Sequence, residues 1–260
     1  MRSIIEKSTR IKKLRTFTQL AALVFLSMPF LGLQGISAPV FYCHGCPIAS
    51  MACPLGIISN FCVYRIFPFV TVGILGLVGA IGGRFVCGWL CPFGFLQDLL
   101  YKIKSRKIAL PAYLNYAKYG ILVVMVILIP LSRTKLLYVF CDLCPVGTLE
   151  STIPWALMGV TSGDWADFSL RVGILVGALA LAVTASRSWC RVFCPLGAIF
   201  ALFNRVSLVR MSLTRHECKG CGVCAKGCPV EINPVKQMNT AECTRCLDCT
   251  TTGHIKAGLE

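Results

Sequence analysis

Eight cysteines of this chain fall into one pattern written twice, and that repeat constrains the fold more than any other feature. Phe41-Tyr42-Cys43-His44-Gly45-Cys46-Pro47 is echoed by Val139-Phe140-Cys141-Asp142-Leu143-Cys144-Pro145. Cys87-Gly88-Trp89-Leu90-Cys91-Pro92-Phe93-Gly94 is echoed by Cys190-Arg191-Val192-Phe193-Cys194-Pro195-Leu196-Gly197. Apolar segments separate the motifs. After the second copy comes Cys218-x2-Cys221-x2-Cys224-x3-Cys228-Pro229, then Cys243, Cys246 and Cys249. C-x2-C-x2-C-x3-C-P is the ligand run of bacterial two-cluster ferredoxins.

The 17 cysteines are too dense for chance among 260 residues. A disulfide scaffold would need a small secreted domain. The ferredoxin spacing also sets thiols too close in sequence to pair with one another. Charged residues make up 14% of the chain and hydrophobic ones 56%. A soluble domain carries roughly a quarter charged residues, so the composition reads as a membrane protein. The net charge of +15 does not indicate nucleic acid, because the basic residues flank apolar segments instead of forming an aromatic-interleaved face.

Four stretches reach the roughly 20 apolar residues of a membrane helix: Phe17 to Ile36, Ile57 to Gly83, Tyr113 to Leu131 and Phe168 to Ala185. Thr148 to Val160 is apolar but too short. Lys and Arg number six in Met1 to Arg15, six in Arg84 to Lys118, and ten from Arg187 onward, leaving four elsewhere. The positive-inside rule then puts both termini and the middle loop in the cytoplasm of a prokaryotic inner-membrane, multi-pass protein. The first apolar run could also be a signal peptide, but Pro39 follows Ser37-Ala38 where cleavage would fall.

Two spans per repeat make the copies parallel, related by a pseudo-two-fold axis along the membrane normal. Equivalent motifs then lie at equal depth. Cys87, Cys91, Cys190 and Cys194 form an inner tetrad, and Cys43, Cys46, Cys141 and Cys144 an outer one. Four thiolates match the ligand count of an iron–sulfur cluster. Buried reduced thiols are the alternative for the inner set. Disulfides or redox-active thiols are the alternative for the outer set, which faces an oxidising side in this topology. Cys53, in Cys53-Pro54-Leu55-Gly56, is a fifth outer thiol and a substitute ligand. Cys62 reads as a small core residue. No C-x-x-C-H occurs, so no haem attachment is indicated.

In two-cluster ferredoxins the fourth Cys of each run serves the other cluster. Cys228 therefore completes the set of Cys243, Cys246 and Cys249. The reciprocal ligand is expected at Gly253, which leaves Cys218, Cys221 and Cys224 one thiolate short. That site is read as a [3Fe–4S] or incomplete cluster, or one completed by His254 or by a partner's thiol.

The inner motifs, with Gly83-Arg84-Phe85-Val86 before the first and Trp189 before the second, resemble the NapH-like family of membrane polyferredoxins. The resemblance implies four spans, [4Fe–4S] clusters, and a quinol-linked electron-transfer subunit working with a cytochrome or iron–sulfur partner. The outer pairs are like those of a subset of that family, and the missing eighth ferredoxin cysteine departs from it.

The expected architecture is an all-α four-helix transmembrane domain over 1–210, with repeats at about 17–110 and 113–210. A ferredoxin-like (α+β) module over 211–260 follows. The expected function is electron relay between the quinone pool or an outer-face partner and a cytoplasmic partner, as the electron-transfer subunit of an oxidoreductase. The alternative is a redox or metal-handling maturation factor for a respiratory metalloenzyme. A transporter is disfavoured, since the apolar segments carry no charged relay. Lipid and a redox protein are the expected partners, with no nucleic acid, and no residue stands out as catalytic.

Overall fold

Four helices start from the same phrase, Cys-Pro-x-Gly. The computed structural model describes residues 2–28, 36–108, 110–132, 139–160, 164–213, 222–252 and 254–259. Cys53, Cys91, Cys144 and Cys194 each hold extended backbone, with ψ between 110° and 125°, and proline takes the first helical position after each. Proline suits that position because its φ is already helical and its missing N–H would have no partner there.

In chain order the helices are α1 (Arg2–Leu26), α2 (Pro54–Tyr64), α3 (Phe69–Gly82), α4 (Phe85–Trp89) and α5 (Pro92–Leu100). Next come α6 (Ala112–Ser132), α7 (145–157) and α8 (Trp165–Thr184). The last are α9 (Ser188–Val192), α10 (Pro195–Phe203) and α11 (Val223–Lys226). Strands β1 (Val209–Leu213) and β2 (Ile255–Leu259) pair antiparallel, with Met211 opposite Ala257. This pair closes the C-terminal region and starts just before the expected boundary at residue 211. Within α6 and α7, residues Leu122–Leu128 and Thr148–Thr152 are wound as wider π-turns. Pro130 and Pro154 lie just beyond. Each cannot donate to the carbonyl four residues back and its ring crowds it, and the wider turn absorbs both effects.

Among the described residues two helices, α6 and α8, are long and apolar enough to cross a membrane. They match two of the four expected segments. The expected segment from Ile57 to Gly83 is instead two helices. Arg65 adopts a left-handed φ of 57° and its N–H closes α2 onto the Cys62 and Phe61 carbonyls. Pro68 then precedes α3, and a residue before proline avoids helical backbone. α1 ends at Leu26, and residues 29–35 of the first expected segment lie outside the described residues. The short apolar stretch from Thr148 is helical to Leu157, within α7.

The path from α2 to α3 doubles back. A single helix through residues 54–82 would separate its ends by about 40 Å. Instead Leu55 and Leu75 share one buried core with Cys53, Cys91 and Cys194. Two helices measure how far apart the motif levels lie. Along α1, Gln19 Nε2 donates to Gly88 O at 3.0 Å, and Ser27, just past its end, meets the Tyr42 hydroxyl at 3.3 Å. Eight residues of helix span about 12 Å. Along α6, Lys118 Nζ meets Glu242 at 2.6 Å, and Met125 O accepts from Phe140 N at 3.5 Å. Seven residues span about 10 Å. α6 continues past Met125 to Ser132. Along α1 the outer motif at Tyr42 therefore lies about two helical turns from the inner one at Gly88.

The C-terminal region is locked onto the helices by buried cations. Arg187 Nε and Nη2 donate to Asp98 at 2.8 and 2.6 Å. Arg15 joins Asp98 to Asp248 at 3.3 and 2.9 Å. Arg84 donates to Ala241 O at 2.7 Å, and Arg245 to Asn204 O at 2.6 Å. Arg15, Arg84, Lys118, Arg187, Arg191 and Arg245 are all buried. Six of the 22 basic residues assigned to the cytoplasmic side thus serve packing as well as orientation.

Burial pushes the Asp98 carboxyl up, but the charge and hydrogen bonds of Arg187, with Arg15, outweigh it and hold its pKa below the usual value. The folded pKa is therefore the lower one. The stabilisation is complete above the unfolded value of about 4 and is lost as pH falls through the folded value. Asp98→Ala, which leaves Arg187 buried and unpaired, should cost about 3–5 kcal/mol. Thermal melts in detergent at neutral pH check this, and the difference from native protein should shrink at acid pH.

Candidate iron–sulfur sites

The inner site is built from both copies of the repeat. Cys87, Cys91, Cys190 and Cys194 line one small cavity together with Phe41, Arg84 and Leu196. α5 and α10 begin at two of these cysteines, α4 and α9 carry the other two, and helix N-termini favour anionic sulfur. The Gly197 amide donates to Cys194 Sγ at 3.4 Å. Gln97 Nε2 donates to Cys190 Sγ at 3.1 Å, while its Oε1 accepts from Trp189 N at 3.1 Å. The Arg84 side chain is fully buried and donates to Cys190 O at 3.0 Å.

The outer cavity differs from the expected set in one thiol. Its cavity is lined by Cys43, Cys53, Cys141 and Cys144, with Phe41, His44 and Phe140. Cys46 is not on that wall, and Cys53 stands in its place. The reason lies in the local phrase. Cys53-Pro54-Leu55-Gly56 starts a helix as Cys144-Pro145-Val146-Gly147 does, whereas Cys46-Pro47-Ile48-Ala49 lacks the glycine and starts none. At Gly56 a Cβ would lie 2.6 Å from the His44 ring, so a larger residue there would have to push that ring aside. The Gly147 amide donates to Cys144 Sγ at 3.5 Å, and the Cys43 amide to Glu150 Oε2 at 2.7 Å. All described cysteines are free thiols, so the outer set forms no disulfide.

In the C-terminal region Cys228, Cys243, Cys246 and Cys249 line a third cavity, walled by Met211, Val230, Ile232 and Met238. Cys224 Sγ lies 3.4 Å from Thr252 Oγ1. Cys218, Cys221 and Gly253 lie outside the described residues. His254 is exposed, and the described contact of Cys224 is to Thr252 instead. Cys62 is half-buried in α2 and lines none of these three cavities.

The sites stand in a row. Phe41 is on the walls of both the inner and outer cavities. Gly88, beside Cys87, abuts the C-terminal region, where a Cβ would meet Thr244 O at 2.6 Å and Cys246 Cα at 3.8 Å. Trp89 Nε1 donates to Arg245 O at 3.2 Å across the same seam.

The donor sets fit iron–sulfur cores. Among the described residues no three His, Cys, Asp or Glu side chains converge on a single metal-ion position. Four thiols line each of three cavities, the ligand count of an iron–sulfur core. Arg84 Nε is buried without a partner in the protein, and a sulfur-rich anion beside it would supply one. Arg84 and Arg187 were read in the sequence only as orientation residues, and Gln97 was not singled out. The signal available was Arg84 and Arg187 each lying three residues before an inner cysteine.

These features define an iron–sulfur protein of the electron-transport type. The family model described as a 4Fe-4S binding domain matches residues 64–111 and 169–214, the two stretches that hold the inner motifs. Protein MJ0750 of Methanocaldococcus jannaschii is 30% identical over 233 residues, which is 84% of this chain and 90% of that protein. The chain belongs to the same family as MJ0750. The regulatory protein NosR of Stutzerimonas stutzeri is 30% identical over 203 residues, 74% of this chain and 26% of NosR. The putative electron transport protein YccM of Escherichia coli is 29% identical over 178 residues, 63% of this chain and 46% of YccM. No solved structure matches.

Two substitutions separate the fifth outer thiol from the wall set. Cys53→Ser should lower iron and acid-labile sulfide per chain, and Cys46→Ser should leave both at the native level. The reverse pattern would return Cys46 to the ligand set. Gly88→Ala should cost about 1–3 kcal/mol by overpacking against the Thr244 carbonyl, read as a lower melting temperature.

Proposed function

We propose that the chain is a membrane-embedded electron relay with three cluster sites in series. The outer site uses Cys43, Cys53, Cys141 and Cys144; the inner site Cys87, Cys91, Cys190 and Cys194; the C-terminal site Cys228, Cys243, Cys246 and Cys249. The observation that carries this reading is the row of three four-thiol cavities, two sharing Phe41 and the third touching the inner motif at Gly88. A bound cluster supplies a one-electron centre at each site.

The chain's own residues supply the rest. Phe93, Phe140, Leu55 and Leu196 keep water away from the thiols. Arg84 and Arg187 bring positive charge to the inner site, each held by a carboxylate partner, Glu242 and Asp98. Net charge and hydrogen bonds to sulfur set cluster potentials, so these two cations favour the reduced form.

The reading extends to topology. α1 and α6 run from the inner level to the outer, α8 returns, and α3 ends at the inner level beside Arg245 and Asn204. With α1, α3, α6 and α8 as the crossing elements, α2 and α7 are short arms that leave the outer site and turn back. Both termini then lie on the cytoplasmic side, as the basic residues indicate. Electrons pass between the quinone pool, as the NapH-like resemblance implies, or an outer-face partner and a partner on the cytoplasmic side.

Iron and sulfide analysis with EPR of the purified protein tests the relay. Reductive titration should resolve separate cluster signals, and Arg84→Met should lower the potential of one of them. Protein without clusters would refute the reading. A reporter joined after Glu260 that is active only outside the cell would refute the topology.

A second reading, a metal-handling maturation role, rests on Cys46, a thiol beside the outer site but off its wall. It predicts copper(I) binding that Cys46→Ser abolishes with iron unchanged.

A further inference from the structure

Gln97 belongs to α5, in the first copy of the repeat, and reaches into the second. Its side chain is buried. Oε1 accepts from Trp189 N at 3.1 Å, and Nε2 donates to Cys190 Sγ at 3.1 Å and to Phe93 O at 3.4 Å. Chemistry fixes which way the amide points. A backbone N–H can only donate, so the oxygen faces Trp189 and the NH2 group faces the sulfur. Both amide hydrogens have an acceptor, one on the thiol and one on the Phe93 carbonyl. The next residue, Asp98, holds Arg187 at 2.6 Å. Gln97 and Asp98 together therefore brace residues 187 to 190 of the other copy. Phe93 packs edge-on against Trp189 across the same seam, at 6.4 Å between centroids.

The second copy does not return this contact. Gln97 lies six residues after Cys91, and the residue at the same distance after Cys194 is Phe200. Phe200 is buried in the core and its side chain has no polar atom. The repeat is thus unequal at this position. Cys190 receives a side-chain amide from the facing copy, and the equivalent residue has none to give to Cys87. Part of what Gln97 does is structural, because the Trp189 N–H belongs to the first turn of α9, where no carbonyl within the helix can serve it. The bond to Cys190 is not needed for that.

We propose that Gln97 sets the potential of the inner site, raising it through the amide donated to Cys190, and makes the two halves of that site unequal. This deepens the relay reading above and rests on it. Hydrogen bonds to ligand sulfurs help set cluster potentials, and a donor favours the state with more negative charge on sulfur. Arg84 and Arg187 act on the site through charge, whereas Gln97 acts through one directed bond. No bond breaks and no proton leaves the amide when the site gains or loses its electron.

The test uses the full-length protein in detergent, with iron and sulfide measured first and midpoints read by EPR-monitored titration. The inner signal is the one that Cys190→Ala removes. Gln97→Met keeps an unbranched side chain and removes the donor. It should lower the inner midpoint, changing the ratio of reduced to oxidised protein at a fixed potential by about tenfold, or about 59 mV for one electron. The other signals should keep their native midpoints. A lower melting temperature with a native inner midpoint would reduce Gln97 to a brace for α9 and overturn the proposal. Native protein gives a second measurement. With the heavy nitrogen isotope in its glutamine side-chain amides, pulsed EPR of the inner signal should show a weak nitrogen coupling. The coupling should persist in Gln19→Met, because the Gln19 amide donates to Gly88 O and not to sulfur. If Gln97→Met loses iron, this coupling decides: its presence supports the proposal, and its absence, or its loss in Gln19→Met, overturns it. Native protein that shows no inner signal at all would sink the relay reading itself.

Discussion

Thiolates held inside an apolar bundle need amide donors and positive charge at close range, and the architecture follows from that need. A carboxylate or thiolate removed from water without compensation costs several kcal/mol. Here compensation comes from backbone and from arginine. Each Cys-Pro-x-Gly phrase turns the chain into a helix whose first amides face the sulfur, as at Gly147 and Gly197. Glycine keeps this turn close, since a Cβ at Gly94 or Gly197 would come to 3.2 Å from the carbonyl of the preceding motif cysteine.

The arginines tie this electrostatic requirement to the tertiary fold. Arg84 bonds the Cys190 carbonyl on one side and Ala241 and Glu242 on the other. Arg187 is held by Asp98, which also takes Arg15, and Arg15 reaches Asp248. The cations that favour negative charge at the inner site are the same ones that seat the C-terminal region. Loading of the inner site and docking of the third site are therefore expected to be coupled. A tethered ferredoxin on a flexible linker would lack that coupling.

Short arms explain how motifs far apart in sequence share one neighbourhood. α2 with α3, and α7 with α8, each leave the outer site and come back toward the inner one. Arg65 with its left-handed backbone and Pro68 make the first turn. The second pair is fastened by Trp155 and Ser151, which both donate to Gly45 O, and by Arg171 with Asp142. Each contact reaches into the loop between two cysteines of an outer motif.

Cysteine spacing alone pointed to the iron–sulfur chemistry and the two-copy repeat, and it grouped the four cysteines that line the third cavity, because local spacing is a property of the chain. The long apolar runs announced α6 and α8 for the same reason, since span length is a local quantity. The fourth outer thiol was a different matter. Cys46 and Cys53 both precede proline, and only the backbone path around His44 and Gly56 decides which one faces Cys141 and Cys144. The glycine after Cys53 was a legible hint that spacing outweighed. The doubling back of α2 and the second role of Arg84, Arg187 and Arg245 were not legible. They depend on which distant carbonyls and carboxylates the packed helices bring within reach, and a charge written in a sequence is the same whether it faces solvent or a buried sulfur.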